Sequence, residues 1–284
     1  MVQKLTGFYG GSQAYTHFNK DNLFIEVSNY HYCCWVRTEK NNSIAALEIF
    51  TIDEQLGFDW NDIFYEIGKQ SVLTDKSYNL VTIFYNTNEN VLVPAYKFNA
   101  ANADGYLDLM FGTNENTVIK YDSIDFGGEA MYNVYRINAM LSTMIKSNFL
   151  TITEFHTYTG LLKHLTVDSD KTQGNAINLY FYNKMFIAIV LKNNKLQIAQ
   201  RFIYSTPEDV LYYALNFTNV YKLTKDADPL FVSGMVDQNG SVLNLLKQHF
   251  SSVYIAYPNT NEVAFESNAE FPIHYFTPFF NLQV

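Results

Sequence analysis

From Asn178 to Phe217 the chain reads as three strands and a helix, and a second copy of that order, fainter in its residues, lies near the N-terminus. Ile177, Leu179 and Phe181 alternate with Asn178, Tyr180 and Tyr182, the period of a strand with one apolar face. Asn183-Lys184 is a polar break of the length a two-residue hairpin loop needs. Met185 to Leu191 is apolar on both faces and reads as a central strand covered on two sides. Lys192 to Lys195 turns the chain again, and Leu196 to Tyr204 forms a third strand with Leu196, Ile198 and Phe202 on one face. The start of the next helix is well marked. Thr206 caps it, Pro207 suits the first helical position, and Asp209 closes a Thr-x-x-Asp box. Glu208 and Asp209 complement the positive end of its dipole, while Val210, Leu211, Ala214 and Leu215 supply a buried face. A strand at Pro229 to Val232, a helix at Ser241 to Phe250 and a strand at Val253 to Tyr257 complete a β-β-β-α-β-α-β order.

The same order opens the chain. Asn22 to Asn29, His31 to Arg37 and Ser43 to Ile52 read as strands, and Asp59 caps a helix. The pattern Asp-Trp-Asn-Asp-Ile-Phe-Tyr from Asp59 parallels Thr-Pro-Glu-Asp-Val-Leu-Tyr from Thr206 in cap, acid, apolar pair and Tyr. Asn79 to Tyr85 then matches Pro229 to Val232. The middle adds strands at Thr117 to Tyr121 and Tyr132 to Arg136, with Asp122 to Glu129 and its Gly127-Gly128 pair read as a flexible connection. Asn138 caps a helix carrying Met140, Leu141, Met144 and Ile145; Phe149 to Phe155 is a strand and Thr157 to Leu165 a helix. The polar run Val167 to Gly174 divides the chain into a first half, 1–172, and a second, 173–284. The aromatic tail from Asn259 is expected to pack across the body. The rival reading is an unrelated α+β protein with two mixed sheets and no repeat.

Charge and composition narrow the partners. A net charge of -9, with no Lys/Arg cluster, excludes a broad surface for nucleic acid or an anionic membrane. No stretch approaches the roughly eighteen apolar residues that span a bilayer. Met1 to Lys20 lacks the charged start and apolar run of a signal peptide. Cys33 and Cys34, the only cysteines, are neighbours on a strand and point to opposite faces, so they read as two buried thiols in a reducing cytoplasm.

Several stretches carry a family resemblance. They are Leu92-Val93-Pro94, Lys195 to Ala199 followed by Arg201-Phe202-Ile203-Tyr204, Glu208 to Tyr213, Phe231-Val232-Ser233-Gly234 and Pro272 to Phe276. Together they resemble an uncharacterised bacterial family, of no assigned function, with an actin-like ATPase fold. The resemblance implies a duplicated, ribonuclease H-like α/β fold with mixed sheets. Its two β-β-β-α-β-α-β halves surround a cleft, as in pilus-assembly PilM and cell-division FtsA. It implies no activity.

In active members of that fold each hairpin carries an acid followed by a glycine-rich phosphate loop. Backbone N–H groups must approach phosphate closely there, which a Cβ obstructs, and the acid holds Mg²⁺ or its water. Here the first hairpin, Glu26-Val27-Ser28-Asn29-Tyr30-His31, has the acid and no Gly; the second, Tyr180 to Met185, has neither. The adenosine side offers only Ser233-Gly234-Met235, where Gly234 also reads as a structural turn. Glu26, Ser28 and Gly234 are therefore the candidates for a degenerate nucleotide cleft. His156 and His164 lack an adjacent carboxylate and read as packing or surface residues. Asp104 and Asp108, like Asp168 and Asp170, read as solvated acids, and Tyr30, Tyr32, Tyr212 and Tyr213 as cover for the core. No nucleophile motif is present. The reading is a non-enzymatic protein-interaction module with no cofactor, a protein partner and the option of a homodimer. The alternative is a divergent ATPase or kinase that takes ATP and Mg²⁺ in the cleft, with Glu26 as the metal-side acid.

Overall fold

The computed structural model describes residues 2–10, 18–53, 59–167 and 174–282. The expected boundary at 172/173 and the acids Asp168 and Asp170 lie outside these residues. The first half contains β1 (Val2–Tyr9), β2 (Asn22–Val27), β3 (His31–Arg37), β4 (Ile44–Ile52), α1 (Trp60–Gln70) and β5 (Leu80–Tyr85). An inserted unit follows: β6 (Asn90–Pro94), α2 (Ala103–Phe111), β7 (Thr117–Phe126), β8 (Glu129–Asn138) and α3 (Ala139–Asn148). β9 (Ile152–His156) returns to the first sheet, and α4 (Thr157–Val167) leads to the second half. That half is β10 (Ala176–Tyr182), β11 (Met185–Lys192), β12 (Lys195–Ile203), α5 (Pro207–Tyr221), β13 (Leu230–Gly234), α6 (Ser241–His249) and β14 (Val253–Ile255). The tail ends in a short helix, α7 (Thr277–Phe280).

The duplication is visible in the strand order. The first sheet runs β1-β4-β3-β2-β5-β9 and the second β12-β11-β10-β13-β14. With β1 set aside, both place the hairpin strands and the two parallel strands identically. β2 pairs antiparallel with β3 and parallel with β5, as β10 does with β11 and β13. The insert, a three-stranded sheet in the order β6-β8-β7 with α2 against it, stands between β5 and α3, whereas in the second half β13 is followed by α6 with no inserted sheet. Both expected helix starts are built as read. Asp59 accepts from Asn61 N–H, and Thr206 and Asp209 form a reciprocal capping box.

One strand was not foreseen and three local expectations are corrected. The polar N-terminus supplies β1, an edge strand held by Lys4 Nζ on the buried Glu48 carboxylate at 2.6 Å. Asp122 to Glu129 is a tight hairpin: β7 pairs with β8 through Phe126 and Glu129, and Gly127 and Gly128 turn with φ of 60° and 77°. Two successive positive φ values are what a type I′ turn demands, so the glycines shorten the loop. In β10 the side with Asn178, Tyr180 and Tyr182 is buried too, because the first half and the tail cover it. In β12 a bulge at Gln197, opposite Val190 and Leu191 of β11, moves Leu196 to the opposite face from Ile198 and Phe202.

Three cores result. One lies between β2 and β4 of the first sheet and α1 and α3; one lies between the second sheet, α5 and α6. The third joins the halves. Trp35 and Leu47 of the first sheet, Leu161 and Leu165 of α4, Ile187 and Leu191 of β11, and Phe276, Phe279 and Phe280 of the tail share one apolar cluster. The tail thus packs across the body, as its aromatics led us to expect. Cys33 faces this cluster and Cys34 the one under α1; both are free and buried.

Gly234 ends β13 opposite Phe181 of β10. Its φ is +95°, and a Cβ there would stand 2.0 Å from the Phe181 carbonyl oxygen. Backbone cannot retreat as a flexible side chain does. Gly234→Ala is expected to lower unfolding free energy by about 2–4 kcal/mol through combined strain and overpacking, as read by urea denaturation.

Candidate functional site

The bases of the two hairpins meet between the sheets. Glu26 stands near the end of β2 and is fully buried. Its Oε1 accepts from Thr157 Oγ1 at 2.7 Å, Asn86 Nδ2 at 3.1 Å and the Tyr182 hydroxyl at 3.1 Å. Its Oε2 lies 3.1 Å from His31 Nε2. The four partners come from the start of α4, the chain just after β5, the end of β10 and the start of β3. Each is set there by element geometry: strand ends and a helix start all open onto the same edge of the parallel strands, where open α/β sheets gather their functional groups.

Ser28 organises the first turn. Its Oγ accepts from Tyr30 N–H at 3.1 Å and His31 N–H at 3.0 Å, and lies 2.9 Å from His31 Nδ1. The Oγ also reaches the His31 carbonyl at 3.4 Å, so Ser28 is bonded throughout to its own turn, and the far nitrogen of the same ring lies against Glu26. The imidazole stacks on the Tyr182 ring at 5.2 Å and 14°. Phe279 meets both rings edge-on, at 5.9 Å and 5.6 Å. Burial first, and then the neighbouring Glu26 carboxylate, hold the Tyr182 hydroxyl well above its ordinary pKa, so it stays a donor. The space between the hairpins is therefore occupied by Tyr182, His31 and Phe279. Of the sequence candidates, Glu26 and Ser28 come together through His31. Gly234 closes against Phe181, one residue from Tyr182, and has no bond to Glu26.

A second buried carboxylate secures α4. Asp122 accepts from His156 N–H and Thr159 Oγ1, both at 2.7 Å, and from the Tyr135 hydroxyl at 3.2 Å. Burial pushes its pKa up, against the pull of those bonds. His156 is fully buried, its Nδ1 accepting from Tyr158 N–H at 3.1 Å. Desolvation lowers its pKa to about 3, so the ring is neutral. No three His, Cys, Asp or Glu side chains converge to hold a metal ion among the described residues. Asp108, read from sequence as solvated, instead pairs with Arg136, which also bonds Glu89 at 3.0 Å.

Beside the Glu26 cluster opens a cavity of about 390 Å³, lined by Asn29, Asn86, Asn88, Asn138, Arg136 and Arg201 among others. Sequence reasoning did not single out Asn86, Thr157 or Phe279. They are remote from Glu26 along the chain, and nothing in their own neighbourhoods distinguishes them.

A duplicated sheet order with paired hairpins facing each other defines an actin-like ATPase fold. The comparisons agree. The chain is similar to a protein with actin-like ATPase fold and unknown function from Bacteroides thetaiotaomicron VPI-5482, at 16% identity and a TM-score of 0.74, covering 87% of this chain and 94% of that one. It is also similar to a structure of the PilM–PilN type IV pilus biogenesis complex, at 10% identity and a TM-score of 0.65, covering 92% of this chain and 97% of that one. No curated protein matches it in sequence. The model of the family described as protein of unknown function (DUF3822) matches residues 13–253, and the chain belongs to that family.

Two outcomes follow from these buried groups. Tyr182→Phe removes one donor to a buried charge and is expected to cost about 1.5–3 kcal/mol in chemical denaturation, with the fold retained. For His156, the unfolded ring binds a proton below its ordinary pKa while the folded ring stays neutral down to about 3. Its stabilising share is then complete above about pH 6.5 and lost as pH falls towards 3. Denaturation at pH 7 and pH 5 is expected to differ by about 2 kcal/mol from this group, and His156→Gln to remove that difference.

Proposed function

We propose that this protein is a non-enzymatic interaction module that keeps the actin-like frame and uses it to bind another protein. The observation that carries the reading is the state of Glu26. A carboxylate that is to hold Mg²⁺ or its water needs an open coordination side. Glu26 has no exposed surface and is bonded by four groups, one of which reaches over from the other half. Ser28, the only hydroxyl in the first turn's Ser-Asn-Tyr run besides Tyr30, spends its oxygen on that turn's own N–H groups. PilM, a protein of similar fold, is found in complex with PilN, which supports a binding role for the frame. Exposed apolar side chains support it further: Tyr96 and Leu109 are each 85% exposed and Met110 65%. No described helix is long and apolar enough to cross a membrane. The two free thiols suit a reducing compartment, and we place the protein in the cytoplasm.

The test is isothermal titration and thermal melting with millimolar Mg·ATP and Mg·ADP. No heat and no shift are expected. A ligand at a hundred times its Kd adds about 2.7 kcal/mol, a shift of several degrees. A saturable shift of that kind, abolished by Glu26→Gln, would establish the ATPase or kinase alternative and overturn this reading.

A further inference from the structure

The β2–β3 turn, the start of α1, the β5–β6 connection, the chain leading into β7 and the end of β8 all converge on the cavity beside Glu26. At about 390 Å³ it falls at the small end of ligand pockets, which run to roughly 300–1,000 Å³ and are walled mainly by apolar side chains. This one is walled mainly by amides: six of its thirteen lining residues are asparagines. Asn29, Asn88, Asn116 and Asn138 are exposed and form the rim. Trp60, Asn86 and Arg136 are buried and form the inner wall.

That inner wall holds polar atoms whose bonding is incomplete. Facing the Glu26 carboxylate, which only accepts, Asn86 must present its Nδ2, and this fixes Oδ1 as its remaining group. The Oδ1 is buried and has no hydrogen-bond partner among the described residues. The same holds for Arg136 Nε and for Thr87 Oγ1, which also belong to residues lining the cavity. The terminal nitrogens of Arg136 are taken by Glu89, Asp108 and the Gly112 carbonyl, so its charge is already met and only Nε–H is left over. One group thus lacks a donor, one lacks an acceptor, and a hydroxyl takes either. Buried polar groups are rarely left unmet, and three around one cavity mark it as shaped for a polar occupant. An anion does not fit the rest of the wall. The N-terminus of α3 borders the cavity, but Asn138 Oδ1 already accepts from Met140 and Leu141 N–H and covers the place where an anion would sit. The other lining cation, Arg201, is engaged over the Tyr30 ring at 5.6 Å.

We propose that this cavity binds a small neutral polyol of the size of a single sugar ring. Hydroxyl groups both donate and accept, so one class of ligand meets Asn86 Oδ1, Arg136 Nε and Thr87 Oγ1 together. At the rim, the amides of Asn88 and Asn116 each offer a donor beside an acceptor, which suits neighbouring hydroxyls on a ring. Trp60 and Ile137 supply apolar surface for the C–H groups between them. The site is additional to the protein-binding role and does not depend on it.

The chain carries its own reporter. Of its two tryptophans, Trp60 lines the cavity and Trp35 is sealed in the core between the halves. The test is intrinsic fluorescence and isothermal titration of the full chain with glucose, galactose, mannose, ribose and myo-inositol, beside glucose 6-phosphate and inorganic phosphate as charged counterparts. A saturable emission change with at least one neutral polyol is expected, and its loss in Trp60→Phe. Asn88→Leu and Asn116→Leu are expected to raise the Kd about tenfold or more in calorimetry, as is Asn86→Ser. Asn88 and Asn116 are exposed, so those variants report even if Asn86→Ser fails to fold. A deoxy analogue of the bound sugar, lacking one of the hydroxyls that meet these groups, is expected to bind at least tenfold more weakly. The proposal is overturned if no neutral polyol saturates in either measurement, or if neither rim variant weakens binding. It is overturned as well if the emission change survives in Trp60→Phe, or if phosphate or the sugar phosphate binds more tightly than every neutral polyol, since the wall would then be reading charge.

Discussion

The carboxylate of Glu26 is the constraint on which the relation between the two halves depends. A charge removed from water is tolerated only when donors replace its hydration, and leaving one buried without partners costs several kcal/mol. Here the donors are gathered from β3, the β5–β6 connection, α4 and β10. None of these elements can move away without exposing an unsatisfied group. The Tyr182 contact is the one that ties the second sheet to the first, and its ring is clamped between His31 and Phe279. One polar atom and two aromatic contacts thus fix the second hairpin against the first.

Around that centre the apolar core does the larger part of the work. α4 and the aromatic tail lie between the sheets and share a cluster with side chains from both. In a duplicated fold of this kind the space between hairpins is where a ligand would bridge the halves. In this chain, aromatic side chains bridge it. The arrangement turns a binding cleft into an internal interface.

Much of the fold was legible before any coordinates. The Thr206–Asp209 box and the Asp59 cap appear as read, because capping depends on groups within a few residues of one another. The hairpin turn at Asn183-Lys184 likewise follows from local chemistry, and Lys184 takes the positive φ that such a turn requires. The errors have a common cause. β10 was read as having one apolar face because Asn178, Tyr180 and Tyr182 are amphipathic, and only a second layer of structure buries them. The bulge that turns Leu196 over arises from pairing with β11, which the sequence of β12 alone does not specify. The Gly127-Gly128 pair was taken as slack when it is a tight two-residue turn between two ten-residue strands.

The sequence by itself determined the elements, their order, their repetition and the lack of glycine in the two hairpin turns. All of these are written in short-range patterns of period, cap and turn. Only the tertiary structure decided that Glu26 would be sealed by Asn86, Thr157 and Tyr182, that Asp108 would pair with Arg136, and that β12 and β6 would line one groove. Those outcomes depend on contacts between residues scores of positions apart. Their geometry is fixed by how two sheets, an insert and a tail pack together, and side chains of ordinary local character acquire their roles only in that packing.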